Sequence, residues 1–62
     1  MEYRMEIWDD DLVGGPDYFD TKAEAKEYGF KEAEDLVLSR RALAPEVVIF
    51  DEDDNVVFEG GL

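Results

Sequence analysis

Cysteine and histidine are both missing from these 62 residues, and the aliphatic hydroxyls are two, Thr21 and Ser39. Without cysteine there is no disulfide framework of the kind that braces small secreted domains. Without either residue zinc lacks its usual ligands. Nucleophilic and histidine-based acid–base schemes lack parts as well, since neither hydroxyl lies next to an obvious base. Bases are scarce: six Lys and Arg stand against eighteen Asp and Glu, a formal net charge of -12. Such an excess is repelled by nucleic acid and by anionic lipid, so direct binding to either is disfavoured. Apolar runs reach four residues at Val47 to Phe50, against the roughly 20 that a membrane helix needs. No charged-then-apolar amino terminus reads as a signal peptide, so the cytoplasm is the expected location.

What is present is enough for one folded domain over residues 1–62. Hydrophobic residues make up 45% of the chain, too many for a disordered acidic tail, although the size leaves only a few kcal/mol of net stability. The stretch Thr21 to Ala44 reads as a helix. Thr21 with Glu24 has the spacing of a capping box, and Pro45 ends the element. At 100° per residue Ala25, Gly29, Ala33, Leu36, Val37, Leu43 and Ala44 share one arc, opposite Glu27, Lys31, Glu34 and Asp35. Arg40 falls inside the apolar arc, where its stem must snorkel out or the helix must bend or fray. Five acids and five bases balance within this stretch; outside it thirteen carboxylates face one base, Arg4.

Glu2 to Trp8 alternates polar with apolar residues, the period of a half-buried strand. Asp9 to Pro16, with Gly14, Gly15 and Pro16 as breakers, reads as a loop too long for a tight hairpin. A short second strand is expected at Asp17 to Phe19. Glu46 to Phe50 and Val56 to Glu59 read as a hairpin around Asp51 to Asn55, with Gly60 to Leu62 frayed. The predicted fold is α+β: ββαββ, an antiparallel sheet with one helix packed on one face. In the third strand Val47 and Ile49 point one way and Val48 and Phe50 the other. The second sheet face therefore needs cover from loop aromatics, a second copy or a partner.

Catalysis and cofactors are not expected. Paired carboxylates could act on a glycoside, but a chain this short hardly makes the cleft. Asp51, Asp53 and Asn55 match positions 1, 3 and 5 of a calcium loop; Val56 stands where its Gly belongs and Leu62 where its bidentate Glu belongs. A polar hairpin turn is the simpler reading, and no metal site is assigned.

The acidic surface is the remaining functional signal. Asp9, Asp10, Asp11, Asp17 and Asp20 form one cluster and Asp51, Glu52, Asp53 and Asp54 another. Both are self-repulsive and destabilise a compact state. Outward residues on a strand recur every ~6.6–6.8 Å, so held carboxylates can approximate backbone phosphates and compete for a Lys/Arg surface that binds nucleic acid. Glu6 joins these candidate contacts, and Trp8, with Tyr18 and Phe50, could add aromatic anchors. The expected partner is a basic nucleic-acid-binding protein. Plain solubility or adaptation to high salt also raises Asp and Glu, but predicts acid on every surface, the helix included.

With these features the chain resembles the small phage-encoded inhibitors of bacterial defence, in particular the DNA-mimic anti-CRISPR proteins of type I systems. The resemblance is of kind, over the whole chain, and rests on length, acidity, absent cysteine and the strand–helix–strand order. It implies an inhibitor acting in the host bacterial cytoplasm that occupies the PAM-reading surface of a Cascade subunit, with the first loop and the second hairpin as contacts. Phe19 to Ala25 also looks like the strand-to-helix junction of several small ββαββ families of unknown function. The alternative is a homodimeric accessory domain, paired through Val48, Phe50 and Phe58, whose acidity serves solubility.

Overall fold

Alternation in the first segment becomes strand β1, Tyr3–Asp9, whose Met5 and Ile7 are fully buried while Arg4, Glu6 and Trp8 lie on the opposite face. The computed structural model describes all of residues 1–62. It continues with β2 (Asp11–Phe19), α1 (Lys22–Leu38), β3 (Glu46–Phe50) and β4 (Val56–Gly61). The four strands form one antiparallel sheet in the order β2-β1-β3-β4, with α1 on one face, so the ββαββ α+β fold is as expected. The helix crosses β1, β2 and β3, and Met5, Ile7, Val47 and Ile49 meet Ala25, Ala33 and Leu36 beneath it. Full burial of such sheet side chains contributes roughly 1.5–3 kcal/mol each.

Three boundaries differ from the sequence reading, each for a local reason. The expected loop from Asp9 to Pro16 is a tight turn followed by strand. Asp9 and Asp11 pair directly, and Asp10 between them takes φ +67°, a conformation Asp tolerates better than most residues. Gly14 to Pro16 lie inside β2 where its register against β1 shifts, so these breakers make a bulge in an edge strand, where proline is allowed. Gly15 has φ +84°, and a Cβ there would sit 2.5 Å from the Met5 carbonyl oxygen. The Gly15–Pro16 peptide is cis.

The helix stops at Leu38, six residues before Ala44. Arg40 takes φ +60°, the Arg41 amide donates to Leu36 O at 2.8 Å and the Arg40 amide to Val37 O at 3.1 Å. This is the Schellman pattern with Arg in the place glycine usually holds. Leu43 and Ala44 thus leave the buried arc, and Leu43 is 92% exposed. At the other end Thr21 caps as expected: its hydroxyl oxygen accepts from the Glu24 amide at 3.1 Å and donates to Glu24 Oε1 at 3.0 Å. The shorter helix carries Lys22, Lys26 and Lys31 against five acids, so it is mildly acidic; the neutrality of the longer stretch comes from Arg40 and Arg41 in the loop. Finally, β4 runs through Gly61, because Gly60 and Gly61 pair with Val47 and Glu46; they are not a frayed tail.

Candidate functional site

Strand direction places the two acidic clusters at opposite ends of the sheet. Asp9 to Asp11 form the β1–β2 turn beside the loop that follows α1, and Asp51 to Asp54 form the β3–β4 turn beside the start of β1. Seven residues of β1 separate them, roughly 20 Å at the usual strand rise. Asp20 lies at the junction of β2 and α1, at the end of the sheet occupied by the β3–β4 turn. Asp17 pairs with Met5 on the helix side of the sheet, where it and, more strongly, Glu32 raise the Tyr28 hydroxyl above its ordinary pKa. The candidates therefore form two poles and do not merge into one row.

Several of these carboxylates hold the fold. Asp9 accepts from the Leu43 amide at 3.0 Å and the Ala44 amide at 3.3 Å, pinning the loop between α1 and β3. Asp51 accepts from the amides of Asp53 (2.9 Å) and Asn55 (3.0 Å) and from the Asn55 side chain (3.3 Å). The Asn55 amide, more than any other group, holds its pKa below the ordinary carboxylate range. That use of Asp51 accounts for the pattern that looked like part of a calcium loop, and no group of three or more acidic side chains converges as metal ligands would. Glu52 accepts from the Glu2 amide at 2.6 Å. Asp54, at φ +64°, pairs with Arg4 at 2.6 Å. The side chains of Asp10, Asp11, Asp17, Asp20 and Asp53 make no hydrogen bond or ion pair.

Glu6 and Trp8 stand apart from both poles, on the sheet face away from the helix. Glu6 accepts from Arg4 Nε at 3.1 Å and from the Trp8 indole N–H at 3.0 Å. Arg4, also held by Asp54, lies 4.2 Å from the centre of the Phe50 ring, and its pKa is raised, chiefly by the bond to Asp54. This face is ordered by register. Tyr18, Arg4, Phe50 and Val56 form one row across the sheet, then Glu6, Val48 and Glu59, then Leu12, Trp8 and Glu46. The chain puts no second layer over it. Val48 is nonetheless buried, in register between Glu6 and Glu59.

Two acidic residues of this face, Glu46 and Glu59, escape the sequence reading. Glu59 lies close enough to hydrogen-bond Glu46 and raise its pKa above the ordinary range, which happens when two carboxyls share a space with no cation between them. Their alternation is visible in sequence, but the β3–β4 register is not. It depends on the irregularity opposite Phe50, where Val57 is passed over in the pairing. No helix is long and apolar enough to cross a membrane. Comparison with known proteins finds no matching family model, no matching curated protein and no matching solved structure.

Proposed function

We propose that the chain is a non-enzymatic binding protein that mimics the charge of nucleic acid and competes for a basic, nucleic-acid-binding protein surface. One observation carries the reading. Of eighteen carboxylates only Glu6 and Asp54 form ion pairs, and both use the same cation, Arg4. Outside Thr21 to Ala44, thirteen carboxylates face Arg4 alone, so the negative field is left almost wholly unneutralised at both ends of the sheet and on its bare face. Such a field accelerates encounter with a cationic surface and is weakened by salt. Asp10 and Asp11 at one pole and Asp20 and Asp53 at the other are available for contact, because no fold-holding bond occupies them. The PAM-reading surface of a type I CRISPR effector in the host bacterial cytoplasm is the target that the resemblance implies.

The test is a competition. The protein is mixed with a Cascade-type effector and labelled target DNA, and retained DNA is measured at low and high salt. In parallel, the tagged protein is used to capture DNA-binding proteins from bacterial lysate. DNA displacement that fades with salt, and that weakens when Asp10, Asp11 and Asp53 are changed to Asn, supports charge mimicry. If the effector keeps its DNA, and every captured protein still binds DNA with the inhibitor present, the proposal fails.

A further inference from the structure

The bare sheet face combines exposed apolar groups with unpaired acid. Trp8 is 41% exposed and Tyr18 58%, and Leu12 and Val56 are also open. Trp8 and Leu12 share a row with Glu46, Tyr18 and Val56 lie in the row of Arg4 and Phe50, and Glu59 stands in the row between them. An antiparallel sheet can leave one face in water, but that face then reads as polar, not as Trp, Tyr, Leu and Val. The only cation on it, Arg4, is engaged by Glu6 and Asp54 and stacked on Phe50. Glu46 and Glu59, diagonal neighbours on β3 and β4, therefore have no counter-charge paired with them.

Charge decides between the possible occupants. Nucleic acid and anionic lipid are repelled. A second copy related by a two-fold axis would set the same glutamates against themselves and bring a further charge of -12. Arginine beside apolar side chains satisfies both halves of the face: its guanidinium can lie on Trp8 or Tyr18 and bond a carboxylate in the same plane, while the neighbouring apolar groups cover Leu12 and Val56.

We propose that this face of the sheet, centred on Trp8, Glu46 and Glu59, is a docking surface for a protein partner that presents arginine among apolar side chains. The inference rests on the charge-mimic reading and adds to it the site at which the partner seats after the carboxylates have steered it in.

Trp8 is the only tryptophan, so its emission reports on this face alone. The full chain is titrated at low salt with a synthetic peptide of alternating arginine and leucine, and with an equally charged peptide of arginine and serine. The leucine peptide should bind about tenfold more tightly and move Trp8 emission to shorter wavelength, with amide shifts along β1, β3 and β4. Glu46→Gln with Glu59→Gln should weaken it about tenfold; both groups reach solvent, and removing their repulsion leaves folding intact. Equal binding of the two peptides with unchanged Trp8 emission would overturn the face and leave the charge-mimic reading standing. No binding of either peptide would overturn both. A concentration-dependent dimer that shifts Trp8 emission without peptide would assign the face to a second copy.

Discussion

Single carboxylates in this chain do opposite things, and their contacts decide which. Asp9 accepts two amides of the loop that carries α1 into β3. Asp9→Ala should leave those amides to water and lower stability by about 1 kcal/mol, measured by urea unfolding. An unchanged midpoint would show that the loop is held by its backbone alone. Asp51 and Glu46 are displaced in opposite directions, so stability should not vary monotonically with acid. The pKa of Glu46 is raised, so the folded state binds its proton more tightly than the unfolded chain does; stability then rises as pH falls through that raised value toward the ordinary one. The pKa of Asp51 is lowered, so its contribution is complete above the ordinary value and is lost as pH falls through the folded one. Unfolding measured across pH should therefore show a maximum in mild acid, and Glu59→Gln should flatten the rise on its neutral side. A curve that only falls on acidification, in both proteins, would contradict the Glu46–Glu59 contact.

At the scale of elements, two backbone positions define the helix. At Gly29 α1 lies close against the sheet: a Cβ there would meet Val47 Cγ1 at 2.7 Å and Met5 Cγ at 3.2 Å. Alanine favours the helix by about 1 kcal/mol, but Val47 is fully buried and its branched side chain is stiff, so it yields little. Gly29→Ala should cost about 1–2 kcal/mol net, whereas a gain in thermal midpoint would mean the helix can lift from the sheet freely. Arg40 is the other position. Its left-handed backbone is one that glycine adopts without penalty, so Arg40→Gly should stabilise the fold by about 0.5 kcal/mol, the relief outweighing loss of a cation at the helix C-terminus. Loss of stability would show instead that the arginine side chain holds the cap. The hydroxyl cap at Thr21 and the small-residue stripe at Ala25, Gly29 and Ala33 were legible in sequence, because both depend on spacing within one turn or two. The helix end was not. The apolar arc continues to Leu43 and Ala44, and nothing in its period reveals that Arg40 accepts the left-handed conformation that stops it.

The whole molecule is governed by its charge. A net charge of -12 is held within extents of 33 × 19 × 15 Å, and only two ion pairs form, both made by Arg4. Self-repulsion should make the fold more stable as monovalent salt is added, while the same salt weakens its hold on a basic partner. Thermal unfolding and partner binding followed over one salt series should therefore move in opposite directions; a melting point that falls with salt would show that repulsion does not limit stability. The helix is mildly acidic once its true end is known, so acid does reach every surface. The contrast that supports a partner is accordingly narrower than charge counting along the chain made it. Glu27, Glu34 and Asp35 on the helix are as free of hydrogen bonds and ion pairs as Asp10, Asp11, Asp17, Asp20 and Asp53, so the contrast lies in the glutamates beside Trp8 on the bare face.

The order of elements, the cap at Thr21, the alternation in β1 and the excess of acid belong to the sequence by itself, since each follows from local spacing or from composition. Strand order, the bulge that turns Gly14 to Pro16 from loop into edge strand, the employment of Asp9 as a brace and the meeting of Glu46 with Glu59 were decided only in the tertiary structure. They depend on contacts between residues far apart in the chain. A shift of one residue in register would move each of those strand side chains to the other face of the sheet.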